Sequence, residues 1–147
     1  MLARLQALLA ALWGGLLLCI AFVATPSAFA VLERAQAGAY VARVFALEAQ
    51  ISLALGLVLV LIERRLTRDT SEAGGASEAF SARLMLPLVA IFCTVAGYYG
   101  LQPMMADAKA GTGVASFAAL HGASLAFFGV KGLVVLALAW VTQRRAS

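Results

Sequence analysis

The chain has 147 residues, of which 63% are hydrophobic and only 12% are charged. A soluble domain carries about twice that charged fraction, so the composition excludes a soluble globular domain and is typical of a chain that lies in lipid. The formal net charge of +4 comes mainly from Lys and Arg in the connections between apolar runs, where such residues set membrane orientation. We therefore expect a lipid bilayer, and no nucleic acid, as the partner.

Four apolar runs cover about residues 5–26, 44–62, 84–101 and 117–141. Each is long enough, or nearly so, to cross a hydrocarbon core of ~30 Å as a helix. The runs are continuous and do not alternate with period two, which excludes the strands of a membrane barrel. The sequence predicts an all-α fold, an antiparallel four-helix transmembrane bundle that forms a single domain over residues 1–147.

The first run ends in a pattern typical of signal-peptidase sites, Ala28-Phe29-Ala30. The apolar region of a secretory leader is usually about 7–15 residues long, whereas residues 5–24 are long enough to span a bilayer. Pro26 suits a helix end, because it lacks an N–H and disfavours helix in the preceding residue. We expect a retained helix. The alternative is a cleaved leader, which would leave three helices.

The connections differ in composition. Residues 31–43 have helix propensity and are expected to form a short interfacial helix before the second span. Residues 63–83 are rich in Ser, Gly, Ala and Glu without apolar periodicity, so we predict a mobile cytoplasmic loop there. Residues 102–113 contain Pro103 and two glycines and are predicted to be an external turn.

The distribution of Lys and Arg predicts the orientation. Three cationic residues lie on one side of the predicted spans, namely Arg34, Arg43 and Lys109. Seven lie on the other side, namely Arg4, Arg64, Arg65, Arg68, Arg83, Arg144 and Arg145. Since the more basic side of a membrane protein faces the cytoplasm, both termini and the 63–83 connection are predicted to be cytoplasmic.

Several short motifs resemble a known family in their order and spacing. They are LWGG at 12–15, ATPSAF at 24–29, AG at 37–38, RVF at 43–45 and LHGAS at 120–124. Together they resemble the bacterial four-helix membrane family called domain of unknown function 4149, which is similar to the eukaryotic transmembrane protein 205 group. The resemblance covers most of the chain except residues 66–82. It implies a retained first helix and a multi-pass protein of the bacterial inner membrane.

The same resemblance implies no specific biochemical function. The family pattern leads us to expect an Asn two turns after His121, where this chain has Phe128. That difference counts against a polar site on the fourth helix.

Ionisable residues within a span are costly and therefore mark candidate sites. Glu48 and His121 each lie about four residues inside the predicted outer end of a span, roughly 6 Å deep. Tyr98 and Tyr99 reach a similar level on the third span. We predict an outward-facing polar pocket of Glu48, His121 and one of these tyrosines. The alternative is a hydrogen-bonded cluster that only holds the helices together.

Lys131 lies near the middle of the fourth span, on one helical stripe with Ser124 and Phe128. Ser52 lies one turn after Glu48 on the second span. A depth difference of about 14 Å predicts no direct contact between Lys131 and Glu48 without a tilt of the helices or a bridging water. Lys131 either faces a wet cavity that binds or conducts an anion, or bonds only to hydroxyls and backbone carbonyls.

The remaining patterns favour neither cofactor nor metal. A bis-His haem site needs two histidines and the chain has one. Met104 and Met105 with His121 are the alternative, a soft-metal site. Cys19 and Cys93 are expected to be small packing residues.

No arrangement of nucleophile and base is recognisable, so we expect no enzyme. The expected function is binding or passage of a small solute or ion through the polar pocket. The alternative is a non-catalytic accessory or scaffold subunit with a protein partner or a second copy. Gly122, Ala126 and Gly129 are expected to pack against another helix of the same chain, or else to mediate dimerisation.

Overall fold

Four long helices make up the protein. The computed structural model describes residues 1–74 and 81–146, and every regular element in those ranges is helical. The helices are α1 (Leu2–Val31), α2 (Arg34–Glu72), α3 (Ala82–Ala110) and α4 (Phe117–Ala146). Each is long and apolar enough to cross a membrane. The predicted all-α fold with four membrane-capable helices is confirmed.

The helices form a ring of neighbours. α1 and α3 each pack against both α2 and α4, so α2 and α4 lie diagonally across the bundle. Gln6, Glu63, Arg83 and Arg145 meet in one cluster. Gln6 and Arg83 lie near the starts of α1 and α3, and Glu63 and Arg145 lie near the ends of α2 and α4. This is the arrangement expected when consecutive helices run in opposite directions. We call this end of the bundle the termini end and the opposite one, with residues 32–33 and 111–116, the loop end.

The core lies between all four helices. Its fully buried members include Trp13 and Leu17 of α1, Leu59 of α2, Ala90 of α3 and Leu138 of α4. Large apolar side chains also cover the outside of the bundle, for example Leu12, Phe22, Leu61, Phe92 and Leu133. An apolar exterior around a packed core is the arrangement that a lipid solvent favours.

Glycines allow the helices to approach closely. A Cβ atom at Gly97 of α3 would overlap the Phe127 side chain of α4. A Cβ atom at Gly56 of α2 would lie 2.6 Å from Ile91 Cγ1 of α3. These two positions therefore set the spacing of α3 from its neighbours.

All four helices extend beyond the limits expected from hydropathy, and α2 and α3 do so the most. α2 begins at Arg34 and continues to Glu72, so residues 63–72 are helical rather than part of a loop, and residues 75–80 lie outside the described residues. The expected interfacial helix is the first part of α2. α3 continues to Ala110 through the expected turn. Charged residues lie outside the hydrocarbon layer but remain good helix formers. Hydropathy therefore gives the limits of the membrane-spanning part of a helix and not the ends of the helix itself.

α1 passes through Pro26 instead of ending there. The segment Ile20–Ala24 just before it is π-helical, and the α-helix resumes over Thr25–Val31. Proline has no N–H for the preceding turn and crowds the carbonyl behind it. A wider turn immediately upstream relieves that conflict, so the helix continues.

Candidate functional site

A buried ion pair joins α2 and α4 across the centre of the bundle. Lys131 Nζ lies 2.7 Å from Glu48 Oε1 and 2.8 Å from Glu48 Oε2. The side chains are only 4% and 2% exposed. Since α2 and α4 are diagonal, this contact is made through the interior and not along the seam between two neighbours.

The expectation that these two residues would not touch is wrong. Glu48 lies 14 residues past Arg34, where α2 begins, and Lys131 lies 14 residues past Phe117, where α4 begins. Both helices run from the loop end, so at ~1.5 Å per residue the two side chains have the same depth. Hydropathy placed the start of the second span at residue 44, and Glu48 therefore too near the surface.

Two further side chains support the carboxylate. Ser52 Oγ donates to Glu48 Oε1, and Trp13 Nε1 of α1 donates to Ser52 Oγ at 2.9 Å. Glu48 thus accepts hydrogen bonds from α2 and α4 and is linked to α1 through Ser52. Ser52 was a predicted member of the site and Trp13 was not. Its signal in the sequence is an indole N–H inside an apolar helix, which needs an acceptor when buried.

A small cavity lies beside the ion pair. It measures about 20 Å³, which is room for one water molecule. The polar side chains that line it, besides the pair, are Cys93, Thr94, Tyr98 and Ser124, and the rings of Phe45 and Phe128 complete the wall. Phe45, Tyr98 and Ser124 all lie nearer the loop end than the pair does. The cavity therefore extends from the pair toward the loop end.

The wall on α3 is a turn of π-helix. Residues Val95–Gly100 adopt this conformation, which occurs often at functional sites. Ser124 Oγ of α4 donates to Gly97 O within this turn at 3.0 Å. Thr94 Oγ1, just before it, donates to Ala90 O. The π turn supplies Gly97 and Tyr98 to the cavity and is fixed to α4 by Ser124.

Two predicted members lie apart from this site. His121 is exposed and stacks on Phe117, with 5.7 Å between ring centroids. It lies ten residues before Lys131, about 15 Å along the helix. Tyr99 is 43% exposed and packs edge-to-face on Tyr98. The layer of Glu48, His121 and a tyrosine is therefore not formed. Glu48, Lys131, Ser52, Ser124 and Tyr98 are brought together.

A second buried carboxylate, Glu63, lies at the termini end. Its side chain is 2% exposed and accepts hydrogen bonds from Gln6 Nε2 at 3.0 Å, Ser81 Oγ at 3.2 Å and Arg145 Nη1 at 2.9 Å. Arg83 Nε lies 3.6 Å from Glu63 Oε1. Glu63 thus contacts α1, α4 and both the cap and first turn of α3. Glu63 was not predicted as a site residue, because it is the first residue of the charged run that was interpreted as a loop.

The small-residue face of α4 points outward. Gly122, Ala126 and Gly129 are exposed, and a Cβ atom at either glycine would meet nothing within 4 Å. The expectation that this face packs inside the same chain is wrong. α4 uses the opposite side, with Val135 and Leu138, for the core.

In the described part of the chain, no cluster of metal-ligating His, Cys, Asp and Glu side chains accompanies these features. Within residues 1–74 and 81–146, no group of three or more His, Cys, Asp or Glu side chains could hold a metal ion. The free thiols are Cys19, which is exposed, and Cys93, which is buried beside the cavity.

Comparison with known proteins identifies the family. A family model described as "Domain of unknown function (DUF4149)" matches residues 8–113. The match includes the 66–82 connection and ends before α4. No curated protein and no solved structure matches the chain. With four membrane-capable helices and a family match over well more than half of its length, this multi-pass membrane protein belongs to the DUF4149 family.

Proposed function

We propose that the protein binds or passes a small polar solute or ion at the Glu48–Lys131 pair. The observation that carries this proposal is the position of the pair: buried at mid-bundle beside a cavity large enough for one water molecule. A charged side chain at the centre of a membrane helix costs roughly 2.5–3.5 kcal/mol. Apolar side chains of similar volume often hold helices together equally well or better. Helix packing therefore does not explain why a charged pair is buried here, whereas polar contact with a solute does.

The same geometry favours binding over catalysis. Each charge of the pair is engaged by the other, and Ser52 also donates to Glu48. The hydroxyl bonded to Glu48, that of Ser52, is fully buried and also accepts from Trp13 Nε1, so a substrate cannot reach it as a nucleophile. The protein in this proposal is therefore not an enzyme and uses no cofactor.

The orientation of the site follows from the cationic residues. Seven of them belong to the termini end and three to the loop end or the outer part of α2. By the positive-inside rule, the termini lie in the cytoplasm and the cavity extends toward the outside. In a bacterium this membrane is the inner one.

Modification of Cys93 tests whether water and solutes reach the site. The Cys19→Ala variant retains Cys93 as its single thiol, and Cys93 lines the cavity. We expect silver ion, a thiol reagent near the size of water, added as its nitrate to the outside of vesicles, to modify Cys93 within minutes to hours. Mass spectrometry of the intact protein measures the extent of modification.

Two controls frame that result. In the double variant Cys19→Ala/Cys93→Ala with Val114→Cys, the new thiol is at a fully exposed position in the loop and should react at once. In Cys93→Ala, the remaining Cys19 lies on the lipid side of α1 and should not react. Modification of Val114→Cys with no modification of Cys93 under any condition would overturn the proposal.

A second candidate function is that of an accessory subunit. The outward face of Gly122, Ala126 and Gly129 favours it, because small residues let another helix approach closely in lipid. Gly129→Leu should then abolish an association that survives purification in mild detergent. Gly15→Leu is the matched control, since Gly15 is also exposed with open space around it. A monomer in every case, by mass and light scattering, contradicts this function.

A further inference from the structure

The geometry around Lys131 points to a specific class of solute, and this inference rests on the proposed function. We propose that the site binds a small monovalent anion together with one proton. The proton goes to Glu48 and the anion takes the place of the Glu48 carboxylate beside Lys131. In this proposal the Glu48–Lys131 ion pair and the bound anion exclude each other.

Charge balance in a buried site is the first argument. Glu48 and Lys131 together are neutral, and both are buried. A net charge in a region of low dielectric constant is costly, so an anion or a proton entering alone is disfavoured. When both enter, the site holds a neutral carboxylic acid, a lysine cation and an anion. The site is again neutral, and each event makes the other more favourable.

The hydrogen bonds favour an anion over a cation. Glu48 already accepts from Lys131 through both oxygens and from Ser52. Lys131 Nζ has three hydrogens, and Glu48 supplies its only oxygen acceptors among the described residues. The Phe128 ring lies 5.1 Å from the same nitrogen. At least one ammonium hydrogen is thus available to the cavity, and it will bind an acceptor.

The remaining groups around the pair support the same assignment. α3 contributes the titratable side chains Cys93 and Tyr98, α4 contributes Ser124, and α2 contributes Phe45. α1 reaches the pair only through Trp13 and Ser52. Among the described residues, no second carboxylate lines the cavity. Once Glu48 is protonated, Lys131 is therefore the only charge that faces a bound solute.

The step is a transfer of one proton and one ion. A proton from water adds to Glu48 and gives the neutral acid, which no longer needs both ammonium hydrogens. The anion accepts hydrogen bonds from the Lys131 ammonium group. No covalent bond other than the O–H bond forms, and no electron is transferred. A cavity of about 20 Å³ restricts the solute to an ion near the size of water unless Tyr98 moves outward.

Trp13 is a native reporter of this event. It is hydrogen-bonded to Ser52, which donates to Glu48, so protonation of Glu48 should change its fluorescence. Trp140→Phe removes the second tryptophan of the chain. We expect sodium chloride, against sodium gluconate at equal ionic strength, to change Trp13 fluorescence at pH 5 with saturation. As the pH is raised above 5, the apparent Kd should rise, by at most about tenfold per pH unit, because one proton accompanies each anion.

Variants in the same background separate the parts of the proposal. Glu48→Gln is neutral like the protonated acid, so chloride should bind with a Kd independent of pH, and should raise the melting temperature at pH 8. Lys131→Met and the double variant Glu48→Gln/Lys131→Met should show only the weak, unsaturable quenching by chloride. Glu33→Gln, at an exposed position, should behave as the parent does.

Each contrary result has a distinct meaning. If Glu48→Gln gives no saturable chloride response while Cys93 is reached by reagents from water, the anion assignment is wrong and the solute site stands. If the response follows sodium or potassium with gluconate as the only anion, the solute is a cation. If Cys93 is also never modified, the proposed function fails as well.

Discussion

Lys131 and Glu48 depend strongly on each other at the scale of single residues. Lys131 has no oxygen acceptor other than Glu48 among the described residues, whereas Glu48 keeps Ser52 as a second donor. Loss of either partner leaves a buried charge without compensation, which is far more costly than loss of both. The effects of the two single substitutions on the free energy of unfolding should therefore not be additive, and this can be measured.

Lys131→Met should lower the free energy of unfolding by about 3–5 kcal/mol, because it strands the Glu48 carboxylate. The double variant Glu48→Gln/Lys131→Met should recover most of that loss. Equilibrium unfolding of both variants and of Glu48→Gln, in mixed detergent micelles, completes the cycle. Additive effects of the two single substitutions would contradict the ion pair.

Glu63→Gln should cost less, about 1–3 kcal/mol, which is the range for a lost charged hydrogen bond. Arg83 and Arg145 are 35% and 24% exposed and can turn to water when the carboxylate charge is removed. Glu72→Gln, at an exposed position at the end of α2, is the control and should have almost no effect. Thermal unfolding in detergent ranks these variants by stability. A larger loss of stability in Glu63→Gln than in Lys131→Met would contradict the prediction.

At the scale of elements, the seam between α3 and α4 depends on the absence of one side chain. The π turn of α3 brings Gly97 against Phe127 so closely that a Cβ atom would overlap it. The Ser124 bond to Gly97 O is in the same place. A larger residue there must push the two helices apart and disturb the cavity wall.

Gly97→Ala should therefore destabilise the protein by about 1–3 kcal/mol, as overpacking does, and should accelerate modification of Cys93. Gly122→Ala is the matched control on the open face of α4. It should be neutral or stabilise by up to ~1 kcal/mol, because alanine is the better helix former. Equal effects of the two substitutions would show that the seam does not limit the spacing.

The extent to which the sequence predicts these elements follows from particular residues. Four apolar runs gave the number of helices, because hydrocarbon thickness sets a minimum length. The start of α2 was predicted too late because Arg34 and Arg43 precede the apolar run, although charged residues in the headgroup region are still helical. That ten-residue error placed Glu48 with His121 instead of with Lys131. Glu63 was missed because its partners come from distant parts of the chain, which hydropathy does not connect.

At the scale of the whole molecule, α1 is an integral part of the bundle. Trp13 and Leu17 are buried in the common core, Trp13 also holds Ser52, and Gln6 holds Glu63. Removal of the first 30 residues would open the core and leave both carboxylates with fewer donors. A cleaved leader would not make such contacts.

We therefore predict that the mature protein retains residues 1–30, as measured by intact mass. Reporter fusions at Leu32 and at the C-terminus should lie on opposite sides of the membrane, with the C-terminal reporter in the cytoplasm. A mature mass lacking α1, or both reporters on one side, would contradict the four-span arrangement.

The Glu63 carboxylate has a consequence for how the bundle can move. It joins the termini ends of α1, α3 and α4 to α2. A movement of these four ends relative to one another would break a contact with Glu63, so we expect them to move together. The loop end is held, in the described residues, by weaker contacts such as Lys109 over Phe117. We therefore expect the helices to separate more readily at the loop end than at the termini end.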